Sequence, residues 1–200
     1  MWWGRVGAMT EQPALTPAAE RVLEVVEKLF YDNGIHAVGV DMIAAEAGVT
    51  KKTLYDRFGS KDAIVRLYLE RRDVRWRAHV TGVVEQSGRF GPRRRVLLMF
   101  DALESWMAAE NPRGCAFVNA LAELPDPDHP ARPAIAGEKQ WVLDYLRQLV
   151  RDTGARNPRK LAASLFMLFE GATVAASLDV VAGAVAGARD AARQLLDAAL

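Results

Sequence analysis

The sequence predicts an all-α protein of about nine helices. An N-terminal three-helix unit of the helix-turn-helix type occupies residues 16–60, and a helical bundle occupies residues 61–200. Three observations carry this. Apolar residues recur at three- and four-residue spacing in almost every segment, the period of a helix face. Glycine, proline and asparagine fall between those segments, where helices start and stop. No stretch alternates apolar and polar residues as a half-buried strand does.

Thr16-Pro17 opens the first helix, with threonine suited to the N-cap and proline to the first turn. Val22, Val25, Val26, Leu29 and Phe30 form its apolar stripe, and Asn33-Gly34 ends it. A second, short helix covers about Val40 to Ala47, buried through Ile43, Ala44 and Ala47. Gly48 makes the turn into a third helix, Lys51 to Phe58, closed by Gly59. Ser60 caps a long fourth helix reaching roughly Val84, with Ile64, Leu67, Tyr68, Val74 and Val83 inward. SGRFGP at 87–92 is a loop. Helix five spans about Arg93 to Ala109, with Leu97, Phe100, Leu103 and Trp106 inward. Residues 111–114 form a turn, and a short sixth helix runs from about Phe117 to Glu123. Four prolines make 125–133 a loop. Helix seven follows over Ala134 to Asp152, helix eight over Pro158 to about Val181, and helix nine from about Val185 onward.

The chain has 200 residues, enough for one or two domains with a real core. Its one cysteine, Cys115, excludes an internal disulfide and points to a reducing cytoplasm, where a buried inert thiol is expected rather than an oxidant sensor. Residues 1–15 read as a disordered tail without the apolar run of a signal peptide, and Met9 is a second candidate start. The apolar run Leu161 to Leu178 holds Ser164, Glu170, Thr173 and Ser177, and reads as a buried helix rather than a membrane span. The net charge of +1 is uneven: residues 1–96 hold 16 Lys and Arg against 12 Asp and Glu, residues 97–200 hold 10 against 13. The basic excess lies in the half with the helix-turn-helix unit.

That unit carries the function. Ala44 and Ala47 let the second and third helices cross closely, while Val49 and Leu54 point inward. The free face of the third helix then offers Thr50, Lys51, Thr53, Tyr55 and Arg57. Such a helix is roughly 12 Å long and the DNA major groove about 12 Å wide. Lys51 and Lys52 open the third helix and Lys61 opens the fourth. A helix N-terminus is itself partly positive, so these placements are mildly unfavourable alone and favourable against phosphate. Thr50, Thr53 and Tyr55 add hydroxyl donors for phosphate oxygens. Asp56 runs against this pattern; it pairs with Lys52 at i,i+4 spacing or accepts from a cytosine amino group.

Ile43-Ala44-x-x-Ala47-Gly48-Val49-Thr50-x-x-x-Leu54-Tyr55-x-x-Phe58-x-Ser60-Lys61-Asp62 resembles the DNA-binding signature of the tetracycline-repressor (TetR) family of bacterial regulators. The resemblance covers about residues 17–66. It implies an all-helical homodimer with a variable ligand-binding domain, in which Lys51, Lys52 and Thr53 face bases while Tyr55 and Lys61 hold phosphates. Two departures stand out. Val38-Gly39 replaces the family's capping threonine or serine, leaving only a backbone N–H at Gly39. Arg57 replaces its histidine or tyrosine, and is able to bind phosphate or read guanine. Arg113 to Ala120 more loosely resembles a subgroup carrying Arg-Gly-Cys-x-Phe-x-Asn-Ala, which fixes no ligand.

A single short recognition helix reads few base pairs, so two copies on a palindrome of double-stranded DNA are expected. The expected homodimer interface lies on helices eight and nine, through the small residues Gly171, Ala172, Ala175 and Ala176 and through Val185, Ala188, Ala192 and Leu195. Glu170, the lone charge between Lys160 and Asp179, either bonds across the dimer or touches a ligand. Trp76, Trp106, Phe117, Trp141, Tyr145 and Phe166 are either core or the lining of a cavity for a mainly apolar or aromatic small-molecule effector. Met99, Met107 and Met167 supply adaptable packing. No enzyme is expected: His36, His79 and His129 lack metal-type spacing, and no phosphate loop or nucleophile motif occurs. No cofactor and no membrane partner are expected. A regulator that needs no small ligand, controlled by a protein partner or acting as an activator, is the alternative.

Overall fold

A computed structural model describes residues 16–85, 90–111 and 113–200. The expected tail, residues 87–89 of the expected loop and Pro112 lie outside them. Among the described residues there are nine helices and no strand: α1 (Pro17–Asn33), α2 (Val40–Glu46), α3 (Lys51–Phe58), α4 (Lys61–Glu85), α5 (Pro92–Glu110), α6 (Ala116–Glu123), α7 (Arg132–Asp152), α8 (Pro158–Ser177) and α9 (Ala184–Ala199).

Local chemistry sets the ends. The Thr16 hydroxyl accepts from Ala19 N at 3.4 Å and Pro17 starts α1; Gly34, with φ of 88°, donates to Phe30 O as the helix stops. The Ser60 hydroxyl accepts from Ala63 N at 3.1 Å and caps α4. α7 begins at Arg132, two residues before the expected Ala134, because Pro133 lies in its first turn, where no N–H is needed. α8 stops at Ser177, short of the expected Val181.

Two hydrophobic cores meet along α4. One joins α1, α2, α3, the first half of α4, α6 and the start of α7; Leu23, Val26, Ile43, Leu54, Ile64 and Leu69 are fully buried there. The other joins the rest of α4 to α5, α7, α8 and α9 around Phe100, Met99, Leu146, Leu149, Leu165 and Leu196. Ala116, Phe117 and Ala120 of α6 thus share the core of the helix-turn-helix unit, while α6 also packs on α7.

The inward face of α4 is not a straight stripe. Ile64, Tyr68, Arg72, Trp76, Val80 and Val84 are buried at intervals of four residues. At 3.6 residues per turn, each interval advances the buried face by about 40°. Five intervals carry it about half a turn round the helix, from one core to the other. Val74, expected inward, is 67% exposed as a result. α8 has the length and hydropathy of a membrane span, but Leu161, Ala162, Leu165, Phe169, Ala172 and Thr173 pack it against its neighbours in the bundle.

Candidate nucleic-acid interface

Positive φ at Gly48, 65°, turns the chain between α2 and α3, and Val49 N donates back to Ala44 O at 3.0 Å. Thr50 caps α3: its hydroxyl accepts from Thr53 N at 3.1 Å and lies 2.8 Å from Thr53 Oγ1. Leu54 and Phe58 anchor α3 in the core. Thr50, Lys51, Lys52, Thr53, Tyr55 and Arg57 are all exposed on its outer surface. Gly39, exposed, caps α2 in an extended conformation without a side-chain bond, so that helix end offers backbone N–H groups alone.

Two of the three lysines at helix starts, Lys51 and Lys52, have carboxylate partners within the chain. Lys51 Nζ lies 2.8 Å from Asp41 Oδ1, which raises the ammonium's pKa. Lys52 Nζ lies 2.5 Å from Asp56 Oδ2, the i,i+4 pair expected as one of the two Asp56 alternatives. Pairs this exposed to water are weakly held, so a phosphate would displace them at little cost. Arg57 donates to the Thr16 hydroxyl at the start of α1. Lys61 is half-buried; burial pulls its ammonium below the usual lysine value, with Asp62 and Glu123 opposing. The roles of Asp41 and Thr16 were invisible in the sequence, because both pairs depend on the docking of separate helices.

Residues 22–67 match the family model for bacterial regulatory proteins of the tetR family, and residues 92–192 match the tetracyclin repressor-like C-terminal domain. The chain belongs to the TetR family of bacterial transcriptional regulators. The TetR-family regulator SCO4454 from Streptomyces coelicolor is 32% identical, with a TM-score of 0.81 over 91% of this chain and 95% of that one. A TetR-type regulator described as putative, sav143 from Streptomyces avermitilis, is 30% identical, with a TM-score of 0.76 over 92% and 98%. The transcriptional repressor NemR of Escherichia coli is 26% identical over 167 residues, 80% of this chain and 83% of NemR. This TetR-family protein is thus a DNA-binding transcriptional regulator and not an enzyme.

The structure divides the expected effector residues of this TetR-family chain. Trp76, Trp106 and Phe117 are buried and line a small cavity of about 20 Å³ between the two cores. Trp141 and Tyr145 stack 5.2 Å apart in a surface groove of about 650 Å³ beside Arg147, Arg151 and Arg159. Phe166 is half-buried against the bundle core and lines neither. Beside the small cavity, Lys139 Nζ lies 2.9 Å from Glu170 Oε2, 3.2 Å from Glu138 Oε2 and 3.4 Å from Cys115 Sγ. Glu170 therefore has its partner within the subunit. Burial pushes the Cys115 thiol up, the opposite of a reactive thiolate.

Burial also pushes the Glu138 carboxyl up to about 7 from 4.5; the Lys139 ammonium opposes this, while Glu170 and Asp73 add to it. Between those values the folded chain keeps a proton that the unfolded chain has released, so stability falls as pH rises through that window and levels off above it. Glu138→Gln is expected to remove this slope, worth on the order of 1–3 kcal/mol, in urea melts from pH 4.5 to 8. An unchanged slope in the variant contradicts the assignment.

The expected dimer residues are also divided. Ala172, Val185 and Ala192 are buried inside their own subunit, where small side chains let α8, α9 and α5 pack closely. Ala175, Ala176 and Ala188 are half-buried, and Gly171 and Leu195 are exposed. Outside the expected set, Met167, Val174 and Leu178 of the α8 region are 65%, 48% and 64% exposed. Residues 167, 171, 174 and 178 follow the four-three-four spacing of one helix face.

Proposed function

We propose that this chain is a cytoplasmic, homodimeric repressor that holds a palindromic operator and leaves it when a mainly apolar or aromatic small molecule enters the bundle. One observation carries the reading. α3 shares a core with Ile64 and Tyr68 of α4, while Trp76, roughly two to three turns further along the same helix, lines the internal cavity. A ligand that moves α4 at Trp76 thereby moves the recognition helix. It shifts the equilibrium only through its different affinities for the two arrangements. The repressor NemR, at 26% identity, supports the direction of control. The test is footprinting on promoter DNA beside the coding sequence: protection of a palindrome with half-sites about 34–36 Å apart, or a multiple of this, is expected. A uniform, sequence-independent footprint contradicts it.

The exposed α8 face is the proposed site of dimerisation, because a stripe of Met167, Gly171, Val174 and Leu178 left in water is unfavourable. Met167→Glu with Val174→Glu is expected to convert the dimer to monomer in sedimentation and to lower operator affinity at least about 100-fold by uncoupling the half-sites. A double variant that remains dimeric places the interface elsewhere.

A cavity of about 20 Å³ favours a second reading, a regulator that needs no small ligand. Thermal shift against a metabolite panel separates the two. A ligand at about 100 times its Kd adds about 2.7 kcal/mol to the folded state, whereas a ligand-independent regulator shows no hit.

A further inference from the structure

The recognition helix carries a carboxylate on the side that faces directly outward. Leu54 and Phe58 are buried and define the inward direction of α3. At 3.6 residues per turn, the midpoint of Lys52 and Asp56 lies about 160° round the helix from them. Lys51 lies only about 40° from the inward direction, and its partner Asp41 stands on α2, so that pair braces two helices. Lys52 and Asp56 occupy the crest. Their side chains are 83% and 61% exposed, and Lys52 Nζ lies 2.5 Å from Asp56 Oδ2. The bond uses Oδ2, which leaves Oδ1 as a further acceptor. A crest of one cation and one anion has no net attraction for phosphate. What it offers is a donor and an acceptor side by side.

The floor of the major groove presents the complement. In G·C, guanine O6 accepts and cytosine N4 donates; in A·T, adenine N6 donates and thymine O4 accepts. In each case the two groups are hydrogen-bonded to each other across the base pair, so they stand about 2.7–3.2 Å apart. That spacing is close to the separation of the Lys52 ammonium and the Asp56 carboxylate. Orientation then decides the fit. With guanine or thymine under Lys52, the ammonium meets a carbonyl oxygen and the carboxylate meets an amino group. With cytosine or adenine there, the ammonium meets an amino group and the carboxylate meets a carbonyl oxygen, so both contacts are repulsive. Guanine adds N7 as a second acceptor beside O6, whereas thymine places its methyl group beside O4, so guanine fits better than thymine.

We infer that Lys52 and Asp56 together read one base pair in each half-site, with guanine under Lys52 and cytosine under Asp56. This rests on the proposed docking of α3 on a palindromic operator and adds the identity of a base pair. Lys52 is the second residue of α3, and the N-terminal residues of a recognition helix are those that reach base edges. The exposed ion pair is weakly held, so each partner turns to its base without losing a strong bond. Asp56 gives specificity chiefly by rejection, since a carboxylate over the wrong base is left facing an acceptor.

Selection from a random duplex library with the full-length protein tests this independently of any promoter. One position of each selected half-site is expected to show guanine first and thymine second. Fluorescence anisotropy with single-position variants of the selected site is expected to show cytosine and adenine there bound at least about tenfold more weakly than guanine. Asp56→Ala is expected to flatten the preference at that position alone and to tighten binding to unrelated DNA. Should the variant melt early, the base order of the unsubstituted protein remains the test. A selected half-site with no position of this order overturns the inference. So does an Asp56→Ala protein that binds every duplex more tightly by one common factor with its base order unchanged, which leaves Lys52 and Asp56 as a surface ion pair only. Both results keep α3 on the DNA. An unsubstituted protein that enriches no sequence at all counts against the palindromic operator itself, and this inference falls with it.

Discussion

Tyr55→Phe combined with Lys61→Ala is expected to weaken operator binding by about 10²–10³-fold, because each contact is lost twice in a dimer. The two halves of the variant differ in kind. Lys61→Ala removes a cation from each subunit and is expected to lower the steepness of the log affinity against log salt plot by about 2. Tyr55→Phe removes a neutral hydroxyl and is expected to weaken binding without changing that slope. Tyr55→Phe is expected to leave the fold unchanged, and a thermal melt of Lys61→Ala checks the same for the half-buried lysine. Tyr55 is 46% exposed, and α3 is held by Leu54 and Phe58. Fluorescence anisotropy with the footprinted operator from 50 to about 300 mM salt reads both quantities. Operator affinity unchanged in the double variant removes α3 and the start of α4 from the DNA surface.

Arg72→Met is expected to cost about 2–4 kcal/mol of stability and to lower Tm by roughly 5–15 °C. Arg72 is 3% exposed, in the middle of the helix that both cores share. Its guanidinium satisfies Glu110 O and Asn111 Oδ1 at the end of α5 and stacks on Tyr31 of α1. Methionine keeps the stem and the volume but leaves the carbonyl and the Asn111 amide oxygen without that donor. Arg72→Lys is expected to recover little, since an ammonium lacks the planar fork that bonds and stacks at once. The same contacts join the end of the bundle's α5 to the helix that opens the DNA-binding unit. A thermal melt of Arg72→Met within 1 °C of the unsubstituted protein contradicts this account.

The helices were legible from sequence because their signals are local. Thr16-Pro17, Ser60 and Gly34 act on backbone groups within a few residues, and they lie in the structure where the sequence placed them. The helix-turn-helix spacing from Ala44 to Phe58 likewise fixes which side of α3 is buried. α4 was misread at Val74 because a fixed stripe was assumed, whereas two cores claim successive faces of one helix. Arg72 was passed over because a buried arginine is marked only by partners far along the chain, here Glu110 and Asn111, 38 and 39 residues away, and Tyr31 of α1. Ala172, Val185 and Ala192 were assigned to a dimer because small residues favour close approach within a subunit as well as between subunits.

By itself the sequence determined an all-α TetR-type chain, the ends of its helices and the composition of the recognition helix, since each depends on neighbours within a turn or two. Only the tertiary structure decided that Lys51 and Lys52 are already paired, that α6 belongs to the DNA-binding core, and that Trp76 and Glu138 line one cavity. Those features arise where separate helices dock, and the packing that brings distant residues together leaves no periodic trace in any one segment.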